Sequence, residues 1–434
     1  MAERTRDRTL RSLPTARVRH GRQRRAAWWS TALKVVGATM AVVLVSGASV
    51  AAIALNNLTS NIDVAQLTDA DGNVREIPQV GEWEGGFNVL IVGVDNAEGQ
   101  TVGESRDTTL NDVNMLVHVA EDQQSAVAVS IPRDLVIRHP GCPQEDGSIS
   151  SPLSAQPLNV AYGQGGLNCV VLTVEALTGL DIPYAAQISF DGVAMMSTAV
   201  GGVDVCITEP IRDRDADLYL ETAGTHTVEG YQALAFLRTR YGVGDGSDLS
   251  RISSQQVYLS SLMRKVQNEG VLADPTAVYG IATVATQAMK LSPSLSSVDT
   301  MVSMALALRN IPTENITFVQ YPATTGLGGV YTNKAAPLED LADQLFQRIA
   351  NDESFVLAAD ATGNGSTLDP NAPVAPPTET PVETPAATDP AAPVDPAAPV
   401  DPSAAPTESA APEAPVLDGV LGQTADQYTC SVAN

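Results

Sequence analysis

The chain has 434 residues with 25 lysines and arginines against 50 aspartates and glutamates, a net charge of −25. The imbalance is sharper outside the N-terminus: residues 1–34 hold ten basic side chains and two acidic ones, leaving 15 basic and 48 acidic across residues 57–434. That balance excludes nucleic acid as a partner bound through a basic face, and the length allows two or three ordinary domains.

Residues 1–34 read as a basic cytoplasmic segment, followed by Val35–Leu55, 21 residues without a charge. Such a run is long enough to span a bilayer, and the basic flank puts the N-terminus inside and the remainder outside. The run exceeds a signal-peptide core, so an uncleaved transmembrane helix is expected rather than a cleaved leader. The protein is then a single-pass membrane protein with an extracellular C-terminal domain, where disulfides persist. Cys142 and Cys169 flank a Gly/Pro/Ser-rich loop and are the favoured pair; Cys206 with Cys430 follows by elimination. No Cys-x-x-Cys or His–Cys spacing indicates a metal, and His20, His118, His139 and His226 are scattered.

Residues 56–86 read as an extracellular stalk. Phe87–Val94 is an apolar strand with Asp95 directly after it, followed by a Gly/Thr/Asp-rich loop. Strands at 113–119 and 125–131 are joined by Glu121-Asp-Gln-Gln, and the second stops at Pro132, which cannot donate to a sheet ladder. A loop at 138–157 and a helix at 170–177, ended by Gly179, come next. Short strands at 186–190 and 203–207 bracket a helix at 191–199, and 228–237 has helical spacing. A long helix over 249–266 sets Ile252, Leu259, Leu262 and Val266 on one stripe, with Asp248 in the N-cap place. Further helices are expected over 275–310, a strand at 316–321 and a last helix at 337–350. This alternation makes 87–350 an α/β domain. Residues 351–434 read as a disordered Pro/Ala-rich spacer with a short tail, because Asp-Pro-Ala-Ala-Pro-Val repeats at 389–394 and 395–400 and cannot bury a core.

Three places gather candidate chemistry. Asp95 follows the first strand, with Arg106 and Asp112 in the next loop; Arg133 and Asp134 follow Pro132; and Arg238 and Arg240 lead to Asp248, Arg251 and Gln255. Residues just past the carboxyl ends of α/β strands are where ligands bind. Arginine forks match phosphate oxygens, a helix start favours anions, and convergent carboxylates suit Mg²⁺ shared with a phosphate. An arginine set with a Mg²⁺-ready carboxylate pair, outside and beside a membrane, points to a pyrophosphate on a membrane lipid.

VGVD at 92–95, SIPRD at 130–134, N-x-A-Y-x-x-G-G at 159–166, VGGVDV at 200–205, and EGYQALAFLRTR (229–240) through DLSRISSQQ (248–256) together resemble the LytR–CpsA–Psr family of bacterial envelope proteins. The resemblance implies a mixed central β-sheet covered by helices, with a polyprenyl chain in an apolar cavity. It also implies a Mg²⁺-assisted phosphotransferase that moves a phosphoglycan from a polyprenyl-pyrophosphate carrier onto peptidoglycan in cell-wall assembly. By that likeness Asp95 and Asp112 hold Mg²⁺, while Arg133, Arg238, Arg240 and Arg251 bind the pyrophosphate, with Arg106 as the substitute for the arginine of the family's triplet. Asp134, Asp248 and Gln255 orient them. Where the family has Arg-Ser/Thr-Asp this chain has Leu110-Asn111-Asp112, and where it has Arg-Gln-Gln this chain has Ser254-Gln255-Gln256. Two other readings stand beside transfer: a pyrophosphatase acting on the same carrier, and a non-catalytic wall-binding or regulatory protein.

Overall fold

The computed structural model describes residues 28–60, 62–75, 85–96, 100–101, 108–144, 146–268, 275–373 and 414–434. The chain divides into two units, Met1–Asn57 and Leu58–Asn434. The first holds most of one continuous helix, α1 (Trp28–Thr59, 32 residues), into which the expected span 35–55 falls. Judged on the described residues alone, no helix is long and apolar enough to cross a membrane; several α1 side chains lie outside that set.

The second unit is built on an eight-stranded mixed sheet in the order β1-β12-β7-β2-β3-β4-β13-β17. Its strands are β1 (Asp63–Val64), β2 (Phe87–Val94), β3 (Asn111–Val119), β4 (Ala126–Ile131), β7 (Tyr184–Ser189), β12 (Met289–Leu291), β13 (Ile316–Gln320) and β17 (Gly422–Thr424). Between β4 and β7 lie the hairpin β5 (Val136–His139) and β6 (Leu153–Pro157), within the expected loop, and helix α2 (Gly166–Thr178). Gly179 ends α2 with φ +72, its N–H donating to the Glu175 carbonyl. The left-handed conformation favours glycine there.

Both faces of the large sheet are covered, which is why β2 and β4 are apolar almost throughout rather than alternating. On one face α2 and α8 (Glu339–Ala350) pack Val170, Val174, Leu345 and Phe346 against Leu90, Leu116 and Val129. On the other, α7 (Val298–Asn310) sets Met304, Ala307 and the following Ile311 against Val119 and Phe318. Fully burying a side chain such as Leu90 or Leu116 contributes roughly 1.5–3 kcal/mol each.

After β7 come α3 (Phe190–Ala199), β8 (Val203–Ile207), the hairpin β9 (Ile211–Asp213) and β10 (Leu218–Leu220), β11 (Gly224–Val228), α4 (Tyr231–Arg238) and α5 (Asp248–Asn268). The helical spacing at 228–237 therefore begins late. Thr225, Thr227 and Val228 are β-branched and pair with β8 instead. On α5, Leu259 packs both with the large-sheet cluster and with the β8 cluster of Val203, Val205 and Phe236. Residues 275–310 form α6 (Pro275–Ala288) and α7, with β12 between them.

Two expected boundaries are corrected. The stalk at 56–86 is part of the folded unit where it is described: β1 pairs with β12, Leu67 is buried, and Arg75 grips Glu175 through two 2.6 Å hydrogen bonds. The segment 351–434 is likewise more than a spacer and tail. Residues after α8 form a strand at Ser366–Leu368, and the last residues supply β17 and a strand at Thr429–Ser431. The strands at Ser366–Leu368 and Thr429–Ser431 complete a second sheet with β8 and β11, and Cys430 is disulfide-bonded to Cys206. Cys142 pairs with Cys169, so both expected bridges are present. Leu417 N–H donates to the Val356 carbonyl, so the repeat region, residues 374–413 of which lie outside the described residues, starts and returns on one unit.

Candidate functional site

The topology carries the separate motifs to one edge. β2, β4, β7 and β13 run in the same direction, β3 antiparallel between β2 and β4. The carboxyl ends of the four parallel-running strands and the start of β3 therefore share a rim. Asp95 follows β2, Asp112 opens β3, Arg133 follows β4 and Phe190 follows β7. A register shift at Gly93/Val94 kinks the end of β2, and such bulges re-aim the residues that follow. With Asp213, Asp215, Ala216, Arg238, Arg240, Tyr241 and Arg251 these residues line a cleft of about 600 Å³.

Arg133 is the hub. Its Nη1 donates to Asp112 Oδ1 at 2.6 Å, its Nε lies 3.9 Å from Asp248 Oδ1, and its backbone N–H donates to Asp248 Oδ2 at 3.1 Å. Arg251, only 5% exposed, pairs with Asp248 at 2.6 Å and donates to the Asp112 carbonyl at 3.1 Å. Asp134 accepts from Lys334 at 2.7 Å and lies 3.5 Å from Arg240. The guanidinium of Arg238, at the end of α4, lies 4.5 Å from the Phe190 ring centroid.

Two expected details change. Ser247, not Asp248, caps α5: its hydroxyl accepts from Ser250 N–H, and Asp248 is the first helical residue. That leaves the Asp248 carboxylate to face the arginines. Gln255 donates to the Leu237 carbonyl at 2.8 Å, so it steadies the α4 end beside Arg238. Arg106 lies outside the described residues. Ser254, where the family pattern has arginine, is fully buried and bonds Ser431 in the C-terminal strand at 2.8 Å. A cation there would meet the second sheet rather than the cleft.

Sequence reasoning missed Asp213 and Lys334. Asp213 Oδ2 accepts from Thr239 Oγ1 at 2.7 Å and from the Arg240 N–H at 3.1 Å, and so fixes the Arg238-Thr239-Arg240 turn. A lone Asp ending a three-residue strand left little local signal. Lys334 reaches Asp134 from 200 residues away, beside the Leu135–Ala335 bridge and the Ala335 N–H that donates to the Asp134 carbonyl.

Four arginines and four aspartates line the cleft, a balanced patch on an acidic chain. Burial pulls the Arg133 guanidinium down, but Asp112, Asp248 and Asp134 outweigh it and raise its pKa. Arg251 goes the other way: burial, with Arg133 and Arg240 nearby, lowers it despite Asp248 and Asp112. The buried Nε–H groups of Arg133, Arg240 and Arg251 have no hydrogen-bond acceptor among the described residues. Asp95 and Asp112 both line the cleft; Asp95 Oδ1 accepts from the Leu110 N–H at 2.9 Å and Asp112 Oδ1 from Arg133. Among the described residues the one three-ligand metal grouping is Cys206, Asp369 and Cys430, whose two sulfurs are joined in a disulfide.

Burial pushes the Asp134 carboxyl up, but Lys334, Arg133 and Arg240 outweigh it and hold it below the ordinary 3.8. A depressed carboxyl contributes stability above the unfolded-state value and loses it as pH falls through the folded one. The urea midpoint is therefore expected to fall as the pH drops below about 5 and through the folded value under 3.8, and to fall less in Asp134→Asn, which has no proton to take up there. Equal slopes in the two proteins would discard this role.

The model of the LytR_cpsA_psr family matches residues 44–348. The chain is 28% identical over 281 residues to the Cell wall biosynthesis protein LcpA of Corynebacterium glutamicum, covering 58% of this chain and 53% of that protein, about half its length. It is 27% identical over 312 residues to the polyisoprenyl-teichoic acid–peptidoglycan teichoic acid transferase TagT of Bacillus subtilis, covering 70% and 89%. The crystal structure of protein gbs0355 from Streptococcus agalactiae shares the fold, with a TM-score of 0.51 and 22% identity over 62% of this chain and 88% of that one.

Proposed function

The chain belongs to the LytR_cpsA_psr family, and we propose that it is a membrane-anchored phosphotransferase moving a phosphoglycan from a polyprenyl-pyrophosphate carrier onto peptidoglycan. The observation that carries this reading is the cleft itself: Arg133, Arg238, Arg240 and Arg251 converge at one sheet rim beside Asp95 and Asp112. The similarity to TagT supports transfer to the wall.

In this reading a peptidoglycan hydroxyl attacks the glycan-bearing phosphorus, and the bond from that phosphorus to the bridging oxygen breaks. Polyprenyl phosphate leaves. Phosphoryl transfer depends mainly on positioning and on neutralising phosphate charge. Arg133, Arg238, Arg240 and Arg251 line the cleft and present guanidinium donors to the pyrophosphate oxygens. Asp134 and Asp248 aim those guanidinium groups, and Gln255 steadies the α4 end carrying Arg238. Asp95 and Asp112 would hold Mg²⁺, which when bound supplies further charge neutralisation. The uncharged run 35–55 would anchor the protein in the membrane that carries the lipid, with residues 1–34 in the cytoplasm. Two disulfides in the folded unit accord with an extracellular site.

The test incubates the full chain in detergent with Mg²⁺, a polyprenyl-pyrophosphate oligosaccharide and peptidoglycan oligomers, and follows the glycan by mass spectrometry. A phosphodiester adduct on peptidoglycan is expected, and it disappears on chelation of Mg²⁺. Free glycan phosphate without adduct would replace transfer by hydrolysis. Lipid left intact would bring the binding or regulatory reading forward.

A further inference from the structure

Asp112 reaches the cleft from a bulge at the start of β3. Gly93 pairs with Val113 and Val94 with Asn111, so Asp112 is the extra residue between two paired ones. Bulges of this kind occur beside active sites, where they re-aim a side chain. Gly93 allows the close approach, since a Cβ there would lie 3.0 Å from Val113 Cβ. In a regular strand, residues three apart point to opposite faces of the sheet. Here Asn111 and Asn114 meet, and Asn111 Nδ2 donates to Asn114 Oδ1 at 2.7 Å. That bond exists only because the bulge does.

Asn111 and Asn114 are both buried, and Asn111 bonds further. Its Nδ2 also donates to the Leu158 carbonyl at 3.2 Å, and its Oδ1 accepts from the Tyr162 N–H at 3.1 Å. Leu158 and Tyr162 bracket the Asn-x-Ala-Tyr run at 159–162, a motif that the cleft itself does not use. Leu158 and Ala161 pack in the core cluster of Leu116, and the Tyr162 hydroxyl donates to Gln187 Oε1 on β7 at 2.7 Å. The same run reaches Arg133, because Asn159 N–H donates to the Arg133 carbonyl at 2.9 Å. One short segment therefore fixes, from the core side, both partners of the Arg133–Asp112 ion pair. A buried amide holds such a geometry firmly, since any shift leaves a desolvated group unpaired.

We infer that Asn111 is a positioning residue: with Asn114 and the 158–162 segment it locks the β3 bulge, and through the bulge it aims Asp112 at Arg133. Its effect on rate rests on the transferase reading, while its effect on the ion pair stands on the geometry alone. The device is particular to this chain, whose triplet is Leu110-Asn111-Asp112 where the family pattern has Arg-Ser/Thr-Asp. A hydroxyl has one hydrogen and can donate to either Asn114 or Leu158, whereas the amide donates to both and still accepts from Tyr162.

The test is a double-mutant cycle of Asn111→Ala against Asp112→Asn in the full chain in detergent, followed by kinetics and by thermal melts. Asn111→Ala alone is expected to lower kcat for transfer by about 10²-fold, the scale of a misplacement of about 1 Å. The KM for the donor lipid changes by less than about threefold, because the arginine grip stays in place. In the Asp112→Asn background the same substitution costs no further rate. The melts run in parallel: Asp112→Asn lowers the Tm of the wild type and leaves that of Asn111→Ala unmoved, since the ion pair is already open. Independent, multiplying losses in the cycle, or a lowered Tm with wild-type kcat, would overturn the proposal and leave Asn111 a packing residue. If Asn111→Ala does not fold, Asn114→Ala, which removes only the clasp acceptor, runs the same cycle with an expected loss of about tenfold. A wild type that forms no adduct would bring down the transferase reading, and the melting cycle then decides the role of Asn111 by itself.

Discussion

Arg133→Ala is expected to lower the rate of transfer by roughly 10³-fold or more, the scale seen for an arginine that stabilises phosphoryl-transfer charge. Among the described residues its guanidinium is the only one that reaches both the Asp112 and Asp248 carboxylates, and its backbone N–H also meets Asp248. Removal costs twice. The pyrophosphate loses a charged fork, and the Asp112 carboxylate loses its cation while Asp248 keeps Arg251; breaking such a pair costs about 3–5 kcal/mol when it is fully buried and less where water reaches it. Arg133→Lys separates these effects. It restores charge beside Asp112 and Asp248, so the melting temperature recovers, but an ammonium cannot make the bidentate contact, and the rate stays about 10²-fold down. Paired measurement of kcat and thermal stability on both variants decides the matter. A lysine variant with wild-type rate would reduce Arg133 to a structural counter-ion. Gln255→Ala is a useful contrast, because its amide bonds a main-chain carbonyl and its effect should be smaller.

Loss of the Cys206–Cys430 bridge is expected to destabilise the folded unit by about 5 kcal/mol on the chain-entropy model, against about 3.5 kcal/mol for Cys142–Cys169. The difference comes from sequence separation, 224 residues in one case and 27 in the other. The bridge also lies inside the sheet: Cys430 is paired in register with Cys206, and Ser431 beside it bonds Ser254 of α5. Thermal melts of Cys206→Ser and Cys142→Ser, with and without reductant, test the ranking. A larger drop for Cys142→Ser would mean that native packing, rather than loop closure, governs the C-terminal strand. Because β17 hydrogen-bonds to β13, loosening this end should also reach the rim of the cleft.

Much of the fold was legible because strong local signals agreed with it. Apolar runs such as Phe87–Val94 and Ala126–Ile131 became the central strands, Gly179 ended its helix, and the stripe on the long helix faced the core. Short strands were not legible. β12 spans three residues, and β1 spans two, so neither carries a periodicity; each exists only because a neighbouring strand supplies hydrogen-bond partners. The return of residues 414–434 was hidden for a related reason. A low-complexity segment announces itself by composition, but composition says nothing about what its far end pairs with.

The site divides along the same line. By itself the sequence singled out the side chains that gather at the cleft: arginines and aspartates standing directly after strand ends and at a helix start, where backbone geometry leaves them near the rim. Tertiary structure alone decided how they pair. Arg133 joins Asp112 and Asp248, Asp134 is shared by Arg240 and Lys334, and Asp213 fixes the Arg238–Arg240 turn. Side-chain type is written locally, whereas charge pairing depends on distances of a few ångströms between segments up to 200 residues apart, and strand order in the sheet sets those distances.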